Sequence, residues 1–546
     1  MAAQANVADG SDTSAAADGF NGGRARLIIV ASSLGTVFEW YDFFVYGTLA
    51  ALLGRLFFPS DNPTVGLLLS LATFGAGFGV RPIGALVFGV LGDRVGRKYT
   101  FLATITLMGI ATALVGFLPT FAQAGIWAPV LLVTLRLVQG LALGGEYGGA
   151  AIYVAENAPK NRRGFYTSFI QASVIGGFLL SLVVVLVTTY AVGPKAFAVW
   201  GWRVPFIVSL LLLAVSLWIR LKLRESPVFT KMKAAGKTSA DPIRESFGSM
   251  GNIRTLFVAL FGIAAGLTVI WYTAQFSTLY FLQQTAMVDG TSAKLLSGVT
   301  AVLSAPFFVL AGHLSDRIGR KPVIVTGYAL TLILLFPLFH LLANAANPTL
   351  KIAMKAAPVV VSGVDCRYDP FAKAQASACG EAIQYFSSRG IGFKRLESSG
   401  LPLRITVGGT IAVDLNDVAA KMDKPAVEAA LARAGYPSKA QPGRRNDGLI
   451  VLAGLMLGIL SAMTYGPVAA ILVELFPARI RYTSLSVSYH VGTGYFGGFL
   501  PLISQYIIAR TGNPYSGLWY TFVVVAVALF VTLVALPETK DRDITA

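Results

Sequence analysis

Charge is scarce along this chain. Asp, Glu, Lys and Arg make up 13% of its 546 residues against 55% hydrophobic residues, and mean hydropathy is +0.66. Soluble domains carry about a quarter of their residues as charges, so a water-soluble globular protein is excluded. Cysteine is nearly missing: Cys366 and Cys379 are the only two. No grouping of Cys, His and acidic residues has the spacing of a metal site or a catalytic triad, and no cofactor is expected. No GxxxxGK loop occurs, which counts against ATP-driven pumping. Nothing resembles the ring-like filter of an ion channel, and an enzyme is the least favoured class.

What the chain does have is apolar runs long enough to cross a bilayer core of about 30 Å as helices of roughly 20 residues. Twelve occur, near 27–54, 64–91, 100–118, 127–155, 165–191, 203–221, 254–285, 295–314, 322–345, 448–475, 483–509 and 515–537. Residues 1–25 are small and polar and read as a disordered tail. The net charge of +17 does not point to nucleic acid, because the positive residues alternate by loop. Arg94, Arg97 and Lys98, then Lys160, Arg162 and Arg163, the stretch 220–254, Arg317, Arg320 and Lys321, and Arg479 and Arg481 fill the even connections. The short odd ones hold little beyond Arg55, Lys195, Lys294 and Arg510. The positive-inside rule then puts both termini and all even connections in the cytoplasm, in a multi-pass protein of the cell's inner membrane.

A repeat supplies the architecture. "GDRVGRK" at 92–98 returns as "SDRIGRK" at 315–321, and "ENAPKNRRGFYTS" at 156–168 is echoed by "ELFPARIRYTS" at 474–484. The fold expected is all-α and integral to the membrane, twelve spans in two pseudo-symmetric six-helix bundles. The divisions are a tail (1–25), a first bundle (26–222), a cytoplasmic linker (223–253), the second bundle in two parts (254–345 and 448–538) and a tail (539–546). Between those parts, 346–447 is a polar insert on the outer face. "LPLRITVGGTIAVDLND" reads as two strands about a Gly-Gly turn and "KPAVEAALARAG" as a helix, so the insert is expected to be a small α+β unit. Both cysteines fall in it, as a disulfide or as two free thiols on one helix.

The loop signature resembles that of the major facilitator superfamily. "FEWYDFFVYG" in span one, "RPIGALVFGVLGDRVGRK" in span two, "RLVQGLALGGEYGGAAIYVAENAP" across span four and "WYTAQFSTLYFL" in span seven are similar to its metabolite:proton symporter family. That family includes carriers of proline and betaine, citrate, 2-oxoglutarate and shikimate. The resemblance covers the spans and not the insert. It implies alternating access, a small-molecule cargo and protons as partners, the lipid bilayer around it, no nucleic acid, and a monomer.

The charged residues inside the spans carry the chemistry. Glu39 and Asp42 stand three apart near one helical face, with Tyr46 a turn further on. Buried carboxylates this close repel when both are ionised, which suits reversible proton binding; permanent pairing to arginines is the plain structural alternative. Arg136 heads a stripe with Gln139, Leu143 and Tyr147, and its guanidinium needs a carboxylate from the protein or the cargo. Arg81, before Pro82, and Trp271, Tyr272, Gln275 and Tyr280 are further cavity candidates, with packing as the competing role for the aromatic residues. At the basic loops, Asp93 can cap a facing helix and latch one state. Arg94, Arg97, Lys98, Glu156, Arg163, Asp316, Arg317, Glu474 and Arg481 complete such gates. His313 and His490 read as packing residues. A proton-coupled symporter of a small carboxylate-bearing or zwitterionic metabolite is the resulting reading. A facilitative sugar-like carrier, or a sensor binding ligand through the insert, are the alternatives.

Overall fold

In a hydrocarbon environment only a helix or a closed barrel satisfies every backbone polar group within itself, and this chain takes the helix. The computed structural model describes residues 22–60, 63–95, 97–145, 147–221, 241–372, 374–397, 402–417 and 421–544. Of the expected tail over 1–25, residues 1–21 lie outside them, whereas 22–25 already belong to the first helix; of the linker over 223–253, residues 223–240 lie outside them. The long helices are α1 (Gly22–Phe57), α2 (Thr64–Phe88), α3 (Arg97–Val115), α4 (Trp127–Asn157), α5 (Lys160–Val192) and α6 (Arg203–Leu221), then α7 (Met250–Thr285), α8 (Gly290–Ile318), α9 (Arg320–Ala346) and α10 (Asp447–Leu475). Arg481–Val491 continues through a wide turn at Gly492–Gly498 into Leu500–Thr511, together α11, and α12 is Leu518–Ala535.

By length and composition, eight helices among the described residues can each cross a membrane, or nine if Pro194–Gly201 and Arg203–Trp218, bent by 64°, form one span. The described part of α3 has a shorter apolar stretch, Leu102–Val115, and α11 is interrupted by its wide turn. The helices pack as two groups. α1 lies on α2, α5 and α6, while α4 lies on α2 and α3; in the second group α10 lies on α8 and α9, and α7 on α11 and α12. The groups meet along α5 with α8 and along α2 with α11. The α2–α4 crossing is set by Gly140, where an added Cβ would collide with the backbone carbonyl of Gly77. Bare backbones there let two helices approach closely without a hydrophobic drive between them.

Residues 348–446 form a separate unit with its own core, around Val361, Ile383, Phe386 and Ile405. Its strands β1 (Val359–Gly363), β2 (Phe393–Glu397), β3 (Leu403–Val407) and β4 (Thr410–Leu415) make one sheet of order β2-β1-β3-β4. β1 and β2 run parallel, joined by the helix Ala378–Ser388; β3 and β4 form a hairpin whose turn, Gly408–Gly409, has φ of 59° and 82°. Both values lie in the left-handed region that tight hairpin turns demand and glycine supplies. The unit sits on the second helical group: the Ala440 backbone N–H donates to the Met287 carbonyl (3.1 Å) and Ser387 Oγ to that of Ala509 (3.3 Å). Cys366, in the segment after β1, is disulfide-bonded to Cys379 at the start of the Ala378–Ser388 helix, so the two are not thiols of one helix.

Candidate functional site

Arg81 and Arg136 dominate the middle of the first group. Pro82 has no N–H to return to the Phe78 carbonyl, so α2 is interrupted there and Arg81 sits at the break. Its side chain is 0% exposed, and none of its three guanidinium nitrogens has a hydrogen-bond partner among the described residues. What surrounds it is aromatic: Cζ lies 3.6 Å from the ring centre of Phe78, 4.5 Å from Phe43 and 5.2 Å from Trp40. Arg136, also 0% exposed, lies 4.0 Å from Phe43 and 4.4 Å from Tyr46. Its Nη1 donates to Gln139 Oε1 (2.8 Å), whose amide donates to Thr112 Oγ1 (2.7 Å), while Nε and Nη2 have no hydrogen-bond partner among the described residues.

The magnitudes matter. Desolvating a guanidinium costs several kcal/mol even after relaxation. A desolvated cation–π contact returns about 2 kcal/mol. Ring stacking therefore leaves both cations short of compensation, a deficit that a carboxylate supplied from outside the protein would close with bidentate bonds.

Thr36, Glu39, Trp40, Arg81, Tyr147 and His490 line one small cavity of about 10 Å³, room for a single water. The two carboxylates of α1 part company here. Glu39 lines the cavity, whereas Asp42 is not part of the lining and faces Ser209 on α6; its Oδ1 has no hydrogen-bond partner among the described residues. Tyr147 stacks on Tyr489 of α11 at 3.7 Å and accepts from Gln171 Nε2 (2.6 Å); Tyr489 in turn shares a 2.6 Å hydrogen bond with Tyr465. On the insert side, Trp271 stacks on Phe44 (5.0 Å), Tyr272 on Phe276 (5.7 Å), and Gln275 is buried in the wide turn Thr273–Ser277. Tyr280 Oη donates to the Gly47 carbonyl (2.8 Å), and Tyr46 Oη to that of Ser70 (3.1 Å). The Tyr280 bond ties the two groups together above the cavity.

Below it, the basic loops form a second tie. Asp316 accepts from the backbone N–H groups of Gly164 (2.8 Å) and Phe165 (2.7 Å) at the start of α5, capping that helix from the other half. Arg320 bonds Asp316 (2.6 Å) and reaches Glu474 with Nη2 and Nε (3.1 and 3.3 Å); Arg163 stands 3.8 Å from Glu474. Arg481 pairs with Glu156 across the halves at 3.2 Å. Arg317 is exposed and contributes only its backbone carbonyl, to Lys540. The side chains of Asp93, Arg94, Arg97 and Lys98 lie outside the described set.

Five residues of this region were not assigned to it from the sequence: Arg320, His490, Gln171, Tyr465 and Tyr489. Arg320 had only a weak local signal, its closeness in sequence to Asp316, four residues earlier across the Gly319 turn. The others had none, because their partners lie on distant helices.

Residues 27–362 and 431–546 match the family described as sugar (and other) transporter, a match that omits most of the insert. The chain belongs to that family, within the major facilitator superfamily. It is an integral membrane transporter of metabolites and not an enzyme. It is 40% identical over 322 residues to the shikimate transporter of Escherichia coli, covering 58% of this chain and 72% of the relative. It is 32% identical over 521 residues to the inner membrane metabolite transport protein YhjE of the same organism, covering 94% of each. A crystal structure of a D-xylose-proton symporter aligns with a TM-score of 0.59 and 18% identity over 95% of this chain and 99% of that one, which speaks for the family's fold alone.

Proposed function

We propose that this transporter is a proton-coupled symporter that imports a small carboxylate-bearing metabolite across the inner membrane, with twelve spans, both termini in the cytoplasm and the insert on the outer face. The observation that carries the cargo class is the pair of fully buried guanidiniums at Arg81 and Arg136, which among the described residues contact rings and an amide and hydrogen-bond no carboxylate. Asp42, buried without an arginine partner among the described residues, is the proton carrier: binding a proton removes a charge the apolar bundle accommodates poorly. Glu39 lies in the cavity beside Arg81 and links the proton site to the cargo. Alternation consists of breaking one inter-half tie while the other holds. Membrane potential adds about 2.3 kcal/mol per charge per 100 mV to the driving force.

The test is uptake into proteoliposomes of labelled shikimate, proline, glycine betaine and D-xylose, with and without an imposed pH gradient. Accumulation of a carboxylate that collapses on adding a protonophore is expected. In Asp42→Asn, exchange should persist while gradient-driven accumulation is lost. Wild-type accumulation by that variant refutes the proton assignment, and protonophore-insensitive uptake leaves a facilitative carrier.

A further inference from the structure

The insert meets the helical bundle across a cleft of about 650 Å³, within the size range of small-molecule sites. Three elements wall it. Arg367 comes from the segment after β1, Arg395 from β2 and Arg510 from the last turn of α11; Asp365 and Asp369 are its acidic residues, and Tyr368, Gln375 and three alanines complete the lining. Among the described lining residues, three guanidiniums against two carboxylates leave one positive charge.

Both carboxylates already have local work. Asp365 Oδ1 stands 3.6 Å from Arg367 Nε, with the two side chains 52% and 93% exposed, an ion pair that water weakens and a better-placed anion displaces. Asp369 Oδ1 accepts from the Phe371 N–H (2.9 Å). Arg510 Nη1 donates to Tyr506 Oη (2.8 Å), which uses one of the five N–H donors of its guanidinium. The walls are held in place as well. The Cys366–Cys379 disulfide closes the loop, Gln375 accepts from the Asp369 N–H (3.1 Å) and donates to its carbonyl (2.9 Å), and the Phe371 ring stacks on Tyr506 of α11 at 5.6 Å. The cleft is therefore formed before a ligand arrives, which lowers the ordering cost of binding.

Its height in the membrane points to the class of ligand. The link between α11 and α12 is folded tight by a 2.6 Å hydrogen bond between Thr511 Oγ1 and Ser516 Oγ, so Arg510 and Trp519 stand near one level. Trp519 and Val523, a turn apart and 54% and 56% exposed, begin the lipid-facing side of α12 there, where interfacial tryptophans mark the headgroup layer. A phosphate offers oxygens in several directions to guanidiniums arriving from three elements, whereas a planar carboxylate is filled by one fork.

We infer that this cleft holds the phosphodiester headgroup of a singly anionic membrane phospholipid, with Arg395 and Arg510 on the phosphate and the acyl chains running beside α12. The lipid then ties the insert to α11, the helix that meets α2 of the first group. The inference needs the insert to lie against the bilayer; it is independent of which face that is, of the cargo and of proton coupling.

Native mass spectrometry of the full chain, released from detergent, counts bound lipid in titrations with dioleoylphosphatidylglycerol, which is singly anionic, and dioleoylphosphatidylcholine, which carries the same phosphodiester with a cation. The first phosphatidylglycerol is expected to bind roughly tenfold more tightly than the first phosphatidylcholine. Arg395→Gln with Arg510→Gln should abolish that preference, with an unchanged melting temperature in lipid-free detergent showing that the variant is folded. Arg433→Gln with Lys439→Gln removes the same charge from exposed positions of the insert outside the cleft and should keep the preference. Equal affinity for the two lipids in the wild-type chain overturns the inference, as does a preference that survives in the cleft variant or falls equally in the control. Displacement of phosphatidylglycerol by millimolar inorganic phosphate also overturns it, and assigns the cleft to a soluble phosphate instead.

Discussion

Arg320 and Arg81 are both arginines with 0% exposure, yet their surroundings compensate them differently. Arg320 is held by Asp316, Glu474 and Ser315, so removing it strands two buried carboxylates. Breaking such a network by deleting one partner costs about 3–5 kcal/mol. Among the described residues Arg81 has rings around it and no hydrogen-bonded carboxylate, so its desolvation is only partly offset within the folded protein. Arg320→Met is therefore expected to lower the melting temperature in detergent. Arg81→Met is expected to leave it unchanged or raise it while abolishing ligand binding, the usual conflict between function and stability at a site. Thermal unfolding of both variants, beside calorimetry, decides the matter; a destabilised Arg81→Met would mean that its stacking is structural.

At the scale of whole elements, Glu538 caps α9. Its carboxylate accepts from the backbone N–H groups of Arg320 (2.9 Å) and Lys321 (3.1 Å), and the chain beyond it folds back so that Thr539 and Lys540 donate as well. Partial burial alone would raise its pKa, but these four backbone donors outweigh that and hold it below the usual 4.5. A depressed native pKa means stabilisation that is fully present above 4.5 and is lost progressively as pH falls through that value toward the native one. The α8–α9 end should thus loosen on acidification below about pH 4.5, and Glu538→Gln should already be loosened at neutral pH and respond less to acid. Hydrogen exchange of the amides at 320–324 measures both; an unchanged acid response in the variant sinks the assignment. Elements with a local signature were legible. The Gly408–Gly409 turn and the Lys424–Arg433 helix can be read from a few adjacent residues. β1 and β2 could not be, because "VVVSG" and "FKRLE" become strands only by pairing with each other across the Ala378–Ser388 helix. His490 is a similar case, since it shares a cavity with Arg81, on a helix of the other half.

Across the whole molecule, ties on both sides of the cavity hold the halves together, Tyr280 to Gly47 at one end and Asp316, Arg481 and their partners at the other. Transport requires them to open in turn, so weakening one end should shift the population toward the state open at that end. The sequence makes this measurable, because its only two cysteines are joined in a disulfide and a single introduced cysteine reports alone. Ala150 lines the cavity on α4, and six residues at 1.5 Å each put it about 9 Å along the helix from Glu156. Asp316→Asn with Arg481→Gln removes charge-assisted bonds worth about 1.5–3 kcal/mol, which is roughly a tenfold to hundredfold change in population. Maleimide should then label Ala150→Cys about that much faster in the double variant, up to the point where the open state dominates. Arg317→Gln, which alters an exposed side chain one position from the tie, should leave the labelling rate where it was. Equal rates in the double variant and the parent would show that these bonds hold the fold rather than gate it.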